Sequence, residues 1–127
     1  MTDKKKILLV DDDITIIDVL TTLLENEYQI QSATNGKAGL EKVRVFHPDL
    51  IILDLVMPGC DGFEFCEVLK NDEAFKNIPV IVLSSHTHLI DTRFGSNEKL
   101  KLAVPDHYLS KPVDPVTILR EIRNYIG

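Results

Sequence analysis

The sequence predicts an α/β protein: a doubly wound, five-stranded parallel sheet with helices on both faces. Two observations carry this. Short apolar runs alternate with stretches of helical period, and charged or hydroxyl residues stand at the ends of those runs. An uninterrupted apolar run fits a strand covered on both faces, and parallel strands need crossover connections, usually helices.

The elements follow in order. Ile7-Leu8-Leu9-Val10 is the first strand. From Asp13 the period changes, and Ile16, Ile17, Leu20, Leu23 and Leu24 mark one face of a helix. Tyr28-Gln29-Ile30-Gln31 alternates apolar and polar, as a strand at a sheet edge does. Asn35-Gly36 is a turn, after which Leu40, Val43 and Phe46 mark a second helix that stops before Pro48. Leu50-Ile51-Ile52-Leu53 is the third strand and ends at Asp54. A loop holding Met57-Pro58-Gly59 leads to a third helix with Phe65, Val68 and Leu69 on its apolar side and Cys66 on the same flank. Pro79 to Leu83 is the fourth strand, ending at Ser84, and His107-Tyr108-Leu109 the fifth, ending just before Lys111. The last helix has Asp114 as N-cap, Pro115 in its first turn, and Ile118, Leu119, Ile122 and Ile126 as its buried stripe. Between 86 and 105 no clean helical period exists, so the fourth helix is expected to be short or irregular.

Composition narrows the function. The 127 residues fit one domain, 1–127, able to bury about two-thirds of its unfolded surface without disulfides or a structural metal. A net charge of −6 argues against direct nucleic-acid binding. No apolar run approaches the roughly 20 residues of a membrane span, and the basic start is followed by too short an apolar run for a signal peptide. The expected location is therefore the cytoplasm. Cys60 and Cys66 lack metal-pair spacing and read as thiols in a reducing compartment. His86, His88 and His107 read as solvated loop histidines rather than a metal cluster.

In an open α/β sheet the ligand site lies outside the carboxyl ends of the strands. Those ends carry Asp11, Asp12 and Asp13; Asp54; Ser84 and Ser85; and Lys111. Clustered carboxylates repel one another and suit a hard divalent cation such as Mg²⁺, whose remaining ligands are waters and phosphate oxygens. Lysine and serine can hold further phosphoryl oxygens, and a facing carboxylate is a plausible nucleophile. No glycine-rich cradle exists for a P-loop nucleotide site. Taken singly, Asp12 or Asp13 could cap the first helix, Ser84 could be a loop serine, and Lys111 a solvated lysine. Their convergence on one edge favours a site.

Several strings carry a family resemblance: Ile7-Leu8-Leu9-Val10-Asp11-Asp12, Asp54-Leu55-Val56-Met57-Pro58-Gly59-Cys60-Asp61-Gly62-Phe63, Ser84, and Tyr108-Leu109-Ser110-Lys111-Pro112. The chain resembles the receiver domains of response regulators, the CheY-like family, essentially end to end. The resemblance implies a flavodoxin-like sheet of strand order 2-1-3-4-5 and a place in two-component signal transduction. It implies Asp54 as phosphoacceptor from a histidine kinase or a histidine phosphotransfer protein. Asp12, Asp54 and the Val56 backbone carbonyl would ligate Mg²⁺, with Asp11 acting through water. Ser84 and Tyr108 would be the switch hydroxyl and aromatic, and Lys111 the ammonium that contacts the phosphoryl group. Lys111-Pro112 matches a peptide bond the family often holds in cis, and Val56 and His86 match positions that tune phosphoryl lifetime. A downstream protein or an output domain would read the surface of the fourth helix and fifth strand. Such a domain is not an enzyme beyond transfer to, and hydrolysis from, its own aspartate.

Two departures bear on that surface: the stretch from Ser84 to Tyr108 is a few residues longer than usual, and Ala103-Val104-Pro105-Asp106-His107 replaces a common acidic turn. Two other readings remain: a receiver-fold interaction module that works without phosphorylation, and a phosphatase resembling the haloacid dehalogenases, with Asp11 as nucleophile and Asp13 as acid. The latter needs a further acidic strand end after the lysine, where this chain has only a helix and its cap.

Overall fold

A computed structural model describes residues 4–57, 61–85, 105–112 and 114–127. Five strands form one parallel sheet: β1 (Lys6–Val10), β2 (Gln29–Ala33), β3 (Leu50–Leu53), β4 (Val80–Ser84) and β5 (His107–Ser110), in the order β2-β1-β3-β4-β5. The described helices are α1 (Ile14–Leu24), α2 (Gly36–Phe46), α3 (Gly62–Lys70) and the C-terminal α4 (Pro115–Ile126). The expected sheet, strand order and edge position of β2 are all present. The helix expected between β4 and β5 lies outside the described residues, as do Cys60, His86 and His88.

The apolar runs are uninterrupted because alternate residues enter different cores. Leu8, Val10, Ile51, Leu53, Val80 and Val82 pack with Val43 and Phe46 of α2 and Phe63, Phe65, Cys66 and Leu69 of α3. Ile7, Leu9, Leu50, Ile52, Ile81 and Leu83 pack on the opposite face with Ile17, Leu20 and Leu24 of α1 and Ile118 and Ile122 of α4. Each such side chain contributes about 1.5–3 kcal/mol when fully buried, so both faces of the sheet are strongly held. One expectation needs correcting: Val68 is 44% exposed, and Phe63 joins Phe65 and Leu69 inside. Val68 follows Phe65 by three residues, and the buried arc of α3 is centred on the other side of Phe65.

The helix starts are chemically specified. Asn35 Oδ1 accepts the Ala38 N–H, Asp61 Oδ1 accepts the Glu64 N–H, and Asp114 caps α4 through the Val116 N–H. His47 closes α2 in the left-handed conformation at φ 52°, immediately before Pro48. At the amino end of β4, Lys70 Nζ donates to Ile78 O at 3.0 Å, to Lys76 O at 3.3 Å and to Asp106 Oδ2 at 3.2 Å. Asp106 also accepts the Val80 N–H at 2.8 Å, and Tyr125 Oη of α4 donates to its carbonyl at 2.9 Å. This knot fastens the approach to β5 against β4 and two helices.

Candidate functional site

Strand register builds the site. Val10 pairs with Leu53 across β1 and β3, so Asp11 and Asp54 leave their strands side by side, and the Asp54 N–H donates to Val10 O at 2.9 Å. Ser84 pairs with Ser110 across β4 and β5, and the Lys111 N–H donates to Ser84 O at 3.1 Å. Residues far apart in sequence are thereby aligned by backbone hydrogen bonds, not by their own side chains.

Carboxylate oxygens of Asp11, Asp12 and Asp54 all lie within 4.8 Å of one another. Asp11 and Asp54 are buried while Asp12 is exposed. Lys111 Nζ is 2.8 Å from Asp11 Oδ2 and 3.7 Å from Asp54 Oδ2. Burial and the Asp11 charge together raise the Asp54 pKa, against the Lys111 charge and a hydrogen bond from the fully buried Ser84 hydroxyl. Burial pulls the Lys111 pKa down, but its hydrogen bond to Asp11 and the charges of Asp11, Asp54 and Asp13 outweigh this, and the net shift is upward. Among the described residues, three carboxylates thus face one ammonium, and the donor set is all oxygen. That excess of negative charge fits a hard divalent cation with room for waters and phosphate oxygens.

Asp13 is used differently. Its Oδ1 accepts the Thr15 N–H at 2.9 Å and caps α1, while its own N–H donates to Asp11 Oδ1 at 2.9 Å. Asp11 is therefore held at both oxygens, by Lys111 and by the Asp13 backbone. An Asp11 nucleophile with Asp13 as proton donor would need both groups released from these partners, which argues against the phosphatase reading.

Asp11, Asp12, Asp54, Ser84 and Lys111 meet at this edge, whereas Tyr108 sits on β5 and is 37% exposed. Lys111-Pro112 is cis. His107 pairs with Glu121 of α4, Nε2 to Oε2 at 3.5 Å, away from the carboxylate cluster. The loop after β3 is pinned by side chains pointing inward on either side of Val56: Leu55 is fully buried, Met57 is 6% exposed, and Val56 itself is exposed. Gly62 closes that loop, its N–H donating to Leu55 O at 2.8 Å. A Cβ at Gly62 would fall 2.5 Å from Asp54 O and 2.6 Å from Leu55 Cα. Sequence reasoning gave Gly62 no role; the available signal was a glycine directly after a helix-capping aspartate, where no cap requires one.

Comparison with known proteins agrees with this geometry. The family description of the response regulator receiver domain matches residues 7–123. The chain belongs to that family. This receiver is 34% identical over 125 residues to Protein PilG of Pseudomonas aeruginosa, covering 98% of this chain and 89% of PilG. It is 32% identical over 123 residues to the DNA-binding response regulator MtrA of Mycobacterium tuberculosis, covering 96% of this chain but only 50% of MtrA. The chemotaxis protein CheY4 of Vibrio cholerae superposes with a TM-score of 0.84 at 27% identity, over 97% of this chain and 99% of CheY4. The chain is thus a receiver of two-component signal transduction, the class of domain that accepts a phosphoryl group. The matched family is one of response regulator receivers. Among the described residues, no helix is long and apolar enough to cross a membrane.

Proposed function

We propose that residues 1–127 act as one cytoplasmic receiver domain that takes a phosphoryl group onto Asp54 from the phosphohistidine of a histidine kinase or histidine phosphotransfer protein. The observation that carries the choice of Asp54 is its set of partners. It is the buried carboxylate reached by both the Ser84 hydroxyl and the Lys111 ammonium, whereas Asp11 is committed at both oxygens and Asp12 is exposed. In transfer, an Asp54 carboxylate oxygen forms the new O–P bond as the N–P bond of the phosphohistidine breaks, and the departing imidazole keeps the bonding pair. Lys111 shifts from Asp11 to the phosphoryl oxygens, and the Ser84 hydroxyl follows them as donor.

Asp12, Asp54 and the Val56 carbonyl would hold Mg²⁺ directly, with Asp11 reaching it through water; bound there, the cation neutralises charge on the phosphoryl oxygens. Tyr108, exposed on β5, turns inward as Ser84 moves, and the surface around β5 and the preceding segment changes for a downstream protein or an output domain. MtrA is a DNA-binding regulator of twice this length, so an output domain is one form such a partner takes. The net charge of −6 supports output through protein contacts, with no nucleic acid or membrane bound by this domain itself. The domain turns over no substrate other than its own phosphoaspartate.

The test is intact mass after incubation with Mg²⁺ and acetyl phosphate. The parent is expected to gain one acid-labile phosphoryl group and Asp54→Asn none. A gain that persists in Asp54→Asn would overturn the assignment. No gain in the parent, with beryllofluoride leaving the Tyr108 environment unchanged, would favour a phosphorylation-independent module.

A further inference from the structure

Of the groups that would hold Mg²⁺ directly, Asp12 follows β1, while the Asp54 carboxylate and the Val56 carbonyl come from the residues just after β3, so whatever fixes that stretch places two of the three. Three contacts do so: Leu55 and Met57 are buried in the core shared with α2 and α3, and the first turn of α3 lies on the Asp54–Leu55 peptide. The last contact is possible only without a Cβ. The neighbours of that missing atom are the Asp54 carbonyl oxygen and Leu55 Cα, both backbone, so neither can rotate away as a side chain could. Gly39 makes the contrast: a Cβ there would meet only side-chain atoms of Phe65 and Val10, at 3.0 Å. At Gly62 the gap would have to widen from 2.5 Å to at least 3.0 Å, carrying the Asp54–Val56 backbone with it. Functional constellations tolerate about 0.5 Å of displacement before they lose activity.

We propose that Gly62 is a positioning residue for the Mg²⁺ site: its bare Cα and its N–H bond to Leu55 O set the place of the Asp54 carboxylate and the Val56 carbonyl. The inference rests on the reading of that site given above. Groups that orient metal ligands without touching the metal change affinity by about 10–100-fold when altered, and Gly62 belongs to this class. Coupling between metal and loop is reciprocal, so Mg²⁺ should tighten the Gly62 bond as that bond tightens Mg²⁺.

The experiment is an amide NMR titration with MgCl₂ on the parent, Gly62→Ala and Val43→Ala, with amide hydrogen exchange at zero and saturating Mg²⁺. Val43→Ala thins the same core from α2 and serves as the purely structural control. In the parent, shifts at Asp12, Asp54 and Val56 are expected on titration, together with about tenfold slower exchange of the Gly62 amide at saturation. Gly62→Ala is expected to bind Mg²⁺ at least about tenfold more weakly, with Val43→Ala close to the parent. The proposal is overturned if Gly62→Ala binds as the parent does, or if both variants weaken alike. Should Gly62→Ala fail to fold, the parent exchange decides: a Gly62 amide indifferent to Mg²⁺ overturns it. A parent that binds no Mg²⁺ overturns the metal site itself and this inference with it, whereas binding without coupling overturns the inference alone.

Discussion

Replacing Asp54 by asparagine should stabilise the metal-free protein while removing its response to Mg²⁺. At an effective dielectric constant of about 20, Asp11, with an oxygen no more than 4.8 Å away, repels Asp54 by at least about 3.5 kcal/mol. Lys111 Nζ at 3.7 Å attracts it by about 4.5 kcal/mol. The two nearly cancel, and solvent screens the smaller repulsion from exposed Asp12. What remains is the desolvation of a carboxylate that is 6% exposed. Asparagine removes that penalty, keeps an acceptor for Ser84, and leaves Lys111 paired with Asp11 at 2.8 Å. We expect a gain of about 1–2 kcal/mol. For 127 residues at about 2.1 cal/mol/K each, that raises Tm by about 4–8 °C.

The sign carries a pH signature. The Asp54 pKa is raised in the folded protein, so the parent is most stable with Asp54 protonated and loses stability as pH rises through the folded pKa. The advantage of Asp54→Asn should therefore be full above the folded Asp54 pKa and shrink on acidification into the ordinary carboxylate range. Mg²⁺ at ten times its Kd should add about 1.4 kcal/mol to the parent and much less to the variant. Thermal melts followed by circular dichroism, in chelator and in Mg²⁺ at several pH values, measure all of this. The reasoning fails if Asp54→Asn melts below the parent without metal, or gains as much from Mg²⁺.

Two further outcomes separate structural from functional carboxylates and cations. Asp13→Ala removes the cap on α1 and should cost about 1 kcal/mol in urea unfolding while leaving acetyl phosphate labelling intact; lost labelling in a folded variant would reopen a chemical role for Asp13. Lys70→Met leaves the Ile78 and Lys76 carbonyls and Asp106 without their shared donor and should lower stability by about 1–3 kcal/mol; an unchanged urea midpoint would show that the knot beneath β4 contributes nothing.

The sheet was legible because β1, β3 and β4 each carry an unbroken run of four apolar residues, and the last helix because Asp114 and Pro115 mark its start. Asp54, Ser84 and Lys111 could be found because ligand sites in such a sheet gather at the carboxyl ends of the strands, where each of these polar residues closes or follows its strand. The division of labour between Asp12 and Asp13 stayed open in sequence: either aspartate can cap a helix, and only the Asp13–Thr15 bond decides. Val68 was misplaced because a spacing of three fits a buried face without fixing its centre. Gly62 was invisible as a constraint, since its importance lies in two backbone atoms brought close by tertiary packing.

The reactive centre draws on the ends of β1, β3, β4 and β5, from Asp11 to Lys111. No short fragment of the chain contains it, and the lysine arrives only when β5 has docked against β4 through the Lys111–Ser84 backbone bond. A nascent or clipped chain lacking β5 can still present Asp11, Asp12 and Asp54, but without an ammonium to meet the incoming charge. Chemical competence therefore doubles as a certificate of assembly: a molecule that carries the signal has already proved that the four strands bearing its site are in place.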